Sequence, residues 1–111
     1  MDIKYKKTND SLTFYIYGEL DECSSSKAKE MLDSVIVENV FVKNCIFNLS
    51  GLSFMDSTGI GLLIGRYKKL KNMGVNSYIS GANFSSEKII ELSGLYNIMP
   101  KCWGNICKKT K

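Results

Sequence analysis

The sequence predicts a single α/β domain with a mixed, mostly parallel β-sheet and helices packed on it. Strand-like and helix-like patterns alternate from residue 12 to residue 99, which is typical of parallel strands joined by helices. Turn-forming residues at 9–11 separate the first two strand-like runs and predict an antiparallel hairpin ahead of the parallel part. At 111 residues the chain is long enough to bury its own core. We therefore assign residues 1–111 to one domain, with residues 101–111 as a basic tail.

The first half of the chain predicts a hairpin followed by one helix. Residues 2–7 and 11–18 indicate two strands, the second with alternating apolar and polar or tyrosine side chains. After residue 21 the apolar spacing changes to that of one helix face. The apolar positions of this helix are Ala28, Met31, Leu32, Val35 and Ile36. Ser24 or Ser25 is the expected N-cap.

The second half of the chain predicts three more strands and two more helices. The predicted strands are residues 44–54, 75–81 and 96–99. A second helix follows residue 58 and ends at residues 72–74, and a third covers residues 85–92, with Gly94 as its C-terminal cap. The side chains of the second helix that should face inward are Ile60, Leu63, Ile64 and Tyr67. Those that should face outward are Arg66, Lys68, Lys69 and Lys71.

Composition and charge exclude several classes of function. The net charge of +4 is too mild for a nucleic-acid-binding domain, which would carry a more concentrated basic face. No apolar run reaches the ~18 residues that a membrane span requires, and the charged N-terminus does not resemble a secretory signal. We therefore expect a cytoplasmic protein that binds neither nucleic acid nor membrane. The lysines near the C-terminus predict a solvated tail, with an anionic contact as the alternative.

The cysteines do not indicate a metal centre. Cys23, Cys45, Cys102 and Cys107 contain no C-x-x-C pair, and the chain has no histidine to complete a mixed zinc site. We expect reduced structural thiols, with a metal site or a redox pair as the alternatives. The sequence predicts no metal and no cofactor.

The segment D-S-T-G at residues 56–59 is the candidate functional site. It lies in one of three loops, at residues 19–24, 53–57 and 81–85, that follow the predicted parallel strands, where the partner and ligand sites of such sheets collect. Asp, Ser and Thr all favour the N-cap of a helix, so the segment predicts a cap. A serine at a helix N-terminus is equally able to carry a phosphate. The pattern leaves both roles open.

Catalysis and nucleotide binding are the less favoured interpretations of this segment. Ser57 or Thr58 would need a base to act as a nucleophile, and the chain has no histidine, so we do not expect an enzyme. Gly59, Gly61 and Gly65 are spaced one residue longer than the dinucleotide-binding fingerprint. We interpret these glycines as close packing of the helix on the sheet, with nucleotide binding as the alternative.

The segment F-M-D-S-T-G-I-G-L-L-I-G-R-Y-K-K-L-K-N-M-G at 54–74 resembles the signature of bacterial anti-sigma factor antagonists, the small STAS-domain proteins. Further matches are Y-G-E-L-D-E at 17–22, F-N-L-S-G-L-S-F-M-D-S-T-G at 47–59 and E-L-S-G-L-Y-N-I at 91–98. The similarity is greatest to members that release the early forespore sigma factor of spore-forming bacteria. The resemblance implies a single STAS-type domain, a mixed sheet backed by helices.

The resemblance also implies a function and a modification site. Family members bind an anti-sigma factor that is also a serine kinase, and thereby release the sigma factor that it holds. The kinase then phosphorylates the serine after the aspartate, here Ser57, and a serine phosphatase restores it. We expect Asp56, Ser57, Thr58 and Gly59 in the partner interface. Asp21 should join them, because its loop follows a neighbouring parallel strand, although a helix-start carboxylate is an equal alternative.

Two points remain open at the level of the sequence. Family members usually close with a further helix, whereas this chain ends in M-P-K-C-W-G-N-I-C-K-K-T-K at residues 99–111, so we expect a shortened helix or a rearranged tail here. The alternative function is a non-catalytic STAS scaffold subunit of a stress-signalling assembly.

Overall fold

Strands and helices alternate along the chain in the computed structural model, which describes residues 1–39, 41–103, 106 and 107. The strands are β1 (Asp2–Lys7), β2 (Ser11–Leu20), β3 (Asn44–Met55), β4 (Asn76–Ser80), β5 (Cys102–Trp103) and β6 (Ile106–Cys107). The helices are α1 (Ser25–Glu38), α2 (Ser57–Asn72), α3 (Phe84–Ser93) and a short 3-10 helix at Leu95–Asn97. None of these helices is long and apolar enough to cross a membrane.

The main sheet has the strand order β1-β2-β3-β4. β1 pairs with β2 antiparallel, whereas β2–β3 and β3–β4 are parallel pairs, which confirms the predicted mixed, mostly parallel sheet. At the centre, Phe14 of β2 lies opposite Phe47 of β3, with the two rings stacked at 5.5 Å between centroids. Both rings are fully buried.

The helices bury their apolar stripes on one face of this sheet. Ala28, Leu32 and Ile36 of α1 are buried at the predicted helical spacing. The core residues that α2 and α3 contribute are Ile60, Leu62, Leu63, Leu70 and Ile90. The helices thus hold the carboxyl ends of β2, β3 and β4 in fixed positions, and the loops that follow these strands emerge from a packed framework.

Arg66 is buried, so the prediction that it faces outward from α2 is wrong. It is 7% exposed, and its Nε lies 3.0 Å from Oδ1 of Asp33 in α1. Lys69 Nζ lies 3.8 Å from the same oxygen. The Arg66–Asp33 approach lacks the geometry of a hydrogen bond, so the contact is an ion pair. The long aliphatic stem of Arg66 can be buried between two helices while its guanidinium group pairs with Asp33. Helical periodicity alone does not predict such a buried ion pair.

Residues 96–99 do not form a strand, so this prediction is also wrong. Gly94 ends α3 in the left-handed conformation at φ 76°, as predicted for a C-terminal cap. The chain then continues into the 3-10 helix, with the N–H of Asn97 bonded to the carbonyl of Gly94 and that of Met99 to the carbonyl of Leu95. The strand-like pairing comes later, where Lys101 forms a parallel bridge with Ile79 of β4.

The described part of the C-terminal segment packs against the sheet. β5 and β6 pair antiparallel, and Cys102 is buried with Ile46 and Tyr78 on the sheet face that the helices leave open. Cys102 is disulfide-bonded, so the prediction of reduced thiols is wrong there, whereas Cys23 and Cys45 are free. The register that places Cys102 opposite Cys107 was not apparent from the spacing. Lys108, Lys109 and Lys111 of the predicted basic tail lie outside the described residues.

Candidate functional site

Three loops meet at the carboxyl edge of the sheet, as the predicted topology requires. The N–H of Asp56, after β3, bonds the carbonyl of Leu20, at the end of β2, at 3.4 Å. On the other side, Asn83 Nδ2 donates to the carbonyl of Leu52 at 2.7 Å and ties the start of α3 to β3. The loop after β3 is therefore bonded to the end of β2, and the loop after β4 is bonded to β3, so the D-S-T-G segment lies in the middle of the three loops.

Asp56 is the N-cap of α2. Its backbone is extended, and its Oδ1 accepts hydrogen bonds from the N–H groups of Thr58 at 2.9 Å and Gly59 at 3.3 Å. Two of the free amides at the start of a helix are thus satisfied by one carboxylate. This arrangement decides which side chain of the segment caps the helix.

Ser57 is the first residue of α2, and it has no capping role. Its side chain is exposed, and its hydroxyl forms no hydrogen bond within the described part of the chain. Thr58 is half-buried behind it and Gly59 is buried. Of the three candidate cap residues, Ser57 is therefore the one whose hydroxyl is both uncommitted and open to a protein that approaches this edge.

Gly59 lets the first turn of α2 approach the sheet closely. A Cβ at this position would lie 2.5 Å from Cγ of Met55 and 3.0 Å from the carbonyl oxygen of Leu20. The interpretation of the glycines as close packing is correct here. It is wrong for Gly61 and Gly65, where a Cβ would meet nothing within 4 Å.

Asp21 lies in the loop after β2 and organises the start of α1. Its Oδ1 accepts the N–H groups of Cys23 at 3.0 Å and Ser24 at 3.1 Å. Ser24, the N-cap residue of α1, donates its hydroxyl to the carbonyl of Glu19 at 2.8 Å instead of capping the helix. The described contacts link this loop to Ser57 through the bond from Asp56 to Leu20, and none joins the Asp21 carboxylate to Ser57 directly.

Comparison with known proteins places this geometry in a family. A model of the STAS domain matches residues 2–109. The chain belongs to the STAS domain family.

Several proteins similar to this chain are anti-sigma factor antagonists. An anti-sigma F factor antagonist of Lysinibacillus sphaericus is 31% identical over 88 residues, which cover 79% of this chain and 74% of that protein. The anti-sigma factor antagonist SpoIIAA in its unphosphorylated form superposes with a TM-score of 0.76, at 24% identity over 92% of this chain and 89% of that one. The Bacillus cell fate determinant SpoIIAA in its phosphorylated form superposes with a TM-score of 0.68, at 25% identity over 92% of each chain.

Two exposed aromatic residues at the edge of this STAS domain were missed from the sequence. Phe54 of β3 is 48% exposed, and Phe84, the first residue of α3, is 84% exposed. The hydrogen bond from Asn83 holds Phe84 at this edge. Asn83 also accepts the N–H of Ser86 at 2.9 Å as the N-cap of α3. An Asn directly before the helical pattern was the available signal for this cap.

The described residues contain no group of three or more His, Cys, Asp or Glu side chains that could hold a metal ion. The side chains at this edge of the sheet include carboxylates (Asp21, Asp56), hydroxyls (Ser57, Thr58) and exposed aromatic rings (Phe54, Phe84). Such a surface is suited to contacts with another protein.

Proposed function

We propose that this STAS domain is an anti-sigma factor antagonist that phosphorylation of Ser57 switches off. In the unphosphorylated state it binds an anti-sigma factor that is also a serine kinase, and thereby releases the sigma factor. The observation that carries the proposal is the division of roles at the start of α2, where Asp56 caps the helix and the exposed Ser57 hydroxyl stays free. The proposal implies a cytoplasmic, non-catalytic protein.

The proposed partner surface consists of Asp21, Asp56, Ser57, Thr58 and Gly59. Its support is their position at one edge of the sheet, in loops that lie side by side and are tied to the neighbouring strands by hydrogen bonds. Oδ1 of Asp21 accepts the hydrogen bonds from the N–H groups of Cys23 and Ser24. Oδ2 is therefore available for a basic group of the anti-sigma factor. Asp56 and Gly59 hold the turn that presents Ser57, so their contribution to binding is mainly one of positioning.

A phosphate on Ser57 would act mainly on the complex. It adds about −1.5 to −2 charge and three acceptor oxygens to a surface that meets its partner as a hydroxyl. Burial of such a group in an unchanged interface is expected to cost about 4 kcal/mol, roughly a thousandfold in affinity. A serine phosphatase would remove the phosphate and return the domain to its binding state.

The test is intact mass spectrometry after incubation with ATP and the cognate anti-sigma factor. The wild-type chain should gain one phosphoryl group. Ser57→Ala should gain none and stay bound to the anti-sigma factor. Ser34→Ala, at an exposed serine in the second half of α1 and outside the proposed partner surface, is the matched control and should still be phosphorylated. A Ser57→Ala variant that gains phosphate at the wild-type rate would assign the modification to another residue. A wild-type chain that neither binds the anti-sigma factor nor gains phosphate would favour the scaffold alternative.

A further inference from the structure

A cavity of about 310 Å³ lies at the opposite end of α2 from Ser57. It is formed by the last turns of α2, the first half of β4 and the segment after the 3-10 helix. The lining residues that matter here are Tyr67, Lys71, Asn76, Ser77, Ile98 and Pro100. Lys71 follows Ser57 by 14 residues in α2, which corresponds to about 21 Å along the helix. The cavity is therefore separate from the candidate phosphorylation site.

The cavity lies beside an unpaired stretch of the outer edge of β4. At Ile79 the outer edge of β4 is hydrogen-bonded to the C-terminal segment, because the N–H of Ile79 donates to the carbonyl of Pro100 at 3.0 Å. Backbone groups two residues apart in a strand point to the same edge, so the N–H of Ser77 points outward as well. Within the described part of the chain, no strand or bridge pairs with Ser77 on that side. Its amide donor therefore faces the cavity.

The polar groups in the cavity wall favour an anion. Ser77 is 5% exposed, and its hydroxyl has no hydrogen-bond partner among the described residues. Buried hydroxyls are normally bonded, so this one has an unused capacity to donate. The ammonium of Lys71 lies 5.8 Å from the centroid of the Tyr67 ring, at the same wall. Among the described residues that line the cavity, none has an acidic side chain.

Apart from Asn76, the remaining wall consists of aromatic and apolar side chains and would hold an uncharged tail. Tyr67 presents an aromatic ring, while Ile98 and Pro100 close the other side. We propose that the cavity binds a small organic monocarboxylate with an aromatic or aliphatic tail. The carboxylate lies between the Lys71 ammonium and the N–H of Ser77, and the tail packs on Tyr67, Ile98 and Pro100. The Ser77 hydroxyl, which is enclosed by protein in the free domain, turns about the Cα–Cβ bond to donate to the same carboxylate. The cavity volume is at the lower end of the ~300–1,000 Å³ range of ligand pockets, which limits the ligand to a small molecule.

The experiment is an amide NMR titration with hydrocinnamate, a phenyl ring joined to a carboxylate by two methylene groups. Saturable shifts are expected at Lys71, Ser77 and Ile98, without a shift at Ser57, and with a dissociation constant of about 1 mM or below. Hydrocinnamyl alcohol has the same ring and chain length without the charge, and should bind at least about tenfold more weakly. Equal binding of the alcohol, or shifts that do not saturate, would overturn the proposal.

Matched variants test the two named contacts. Lys71→Met keeps the apolar stem and removes the charge, and should weaken binding about tenfold or more. Lys68→Met, on the same helix and exposed, should bind as the wild type does. Ser77→Ala should weaken binding by about threefold to tenfold. Wild-type affinity in both Lys71→Met and Ser77→Ala contradicts the assignment. Inorganic phosphate that produces the same saturating shifts would replace the organic carboxylate by a simple anion and overturn the ligand class.

Discussion

Asp56 caps the helix that Ser57 begins, and this frees the Ser57 hydroxyl from any structural task. One carboxylate oxygen of Asp56 accepts the N–H groups of Thr58 and Gly59, so two free amides in the first turn of α2 are satisfied without the Ser57 hydroxyl. A residue that both caps a helix and carries a phosphate would couple the modification to stability. Here the two roles belong to adjacent residues, so phosphorylation at Ser57 can change binding without loss of the cap.

Stability measurements on two adjacent variants test this division of roles. Asp56→Ala removes the cap and should lower the free energy of unfolding by about 1 kcal/mol. Ser57→Ala removes an exposed hydroxyl without a bond and should change it by less than about 0.5 kcal/mol. Urea unfolding of both variants provides the comparison. A larger loss for Ser57→Ala than for Asp56→Ala would mean that the serine is the effective cap.

Two glycines of α2 should respond to alanine in opposite directions. Gly59→Ala brings a Cβ within 2.5 Å of Met55 Cγ and 3.0 Å of the Leu20 carbonyl, and should destabilise the domain by about 1–3 kcal/mol. Gly61→Ala meets nothing within 4 Å, and should stabilise it by up to about 1 kcal/mol, because alanine favours helix over glycine. Thermal unfolding of the pair checks the packing of this turn. A stabilising Gly59→Ala would show that α2 lies farther from β2.

Charge reversal in the loop after β2 tests the proposed partner surface. Asp21→Lys should weaken the complex with the anti-sigma factor about tenfold or more. Because it also removes the Oδ1 bonds to Cys23 and Ser24, Asp21→Asn provides a variant that keeps an acceptor and loses the charge. Glu22→Lys, at the exposed neighbouring position, is the matched control. Affinities measured by calorimetry that do not differ between Asp21→Lys and Glu22→Lys would remove Asp21 from the interface.

The sequence predicted the order of elements because the burial of each side chain is recorded in its periodicity. Phe14 and Phe47 lie at alternating positions of two apolar strands and are buried opposite each other. Arg66 and Asp33 show the limit of this reasoning, because their pairing depends on the approach of two helices that are distant in sequence. The turn at residues 95–97 was missed for another reason, since a short apolar run suits a strand or a helical turn equally.

For the candidate site, the sequence predicted that it lies in the D-S-T-G segment at residues 56–59. It did not show which side chain caps the helix and which stays free. Asp56, Ser57 and Thr58 all have the chemistry of a cap, and only the direction of each side chain shows that Asp56 takes this role. The exposure of Phe84 could not be predicted, because it depends on the bond from Asn83 to Leu52, which crosses from α3 to β3. Local patterns do not contain such contacts between distant segments.

Acid should loosen the contact between α3 and the C-terminal segment. Glu87 accepts hydrogen bonds from Tyr96 and Lys101. Partial burial alone would raise the pKa of Glu87, but these two hydrogen bonds and the Lys101 charge outweigh it, so the pKa lies below its ordinary value. The stabilisation is therefore complete above the unfolded-state pKa of about 4.3, and is lost as the pH falls through the lower folded-state value.

The pH dependence of stability in Glu87→Gln isolates this effect. At pH 7 the variant should be less stable than the wild type, and the difference should shrink toward zero at acidic pH, where Glu87 is itself protonated. In Lys101→Met, the pKa of Glu87 measured by NMR should rise toward its ordinary value. A difference that stays constant across the acid range would show that the ionisation of Glu87 does not contribute to stability.

Phosphorylation of Ser57 should leave the fold of the free domain unchanged. The phosphate would lie at the positive end of the α2 dipole, which is favourable, and beside the Asp56 carboxylate, which is unfavourable. These effects have opposite signs and similar sizes of about 1 kcal/mol each, too small to rearrange a packed core. Amide NMR spectra of the phosphorylated and unphosphorylated domain should therefore differ only near residues 54–60 and in the adjoining loops. Ser57→Asp serves as a control for charge without the full phosphate. Large shifts that extend through β3 to the β1–β2 hairpin would show a global change of conformation and refute a local switch.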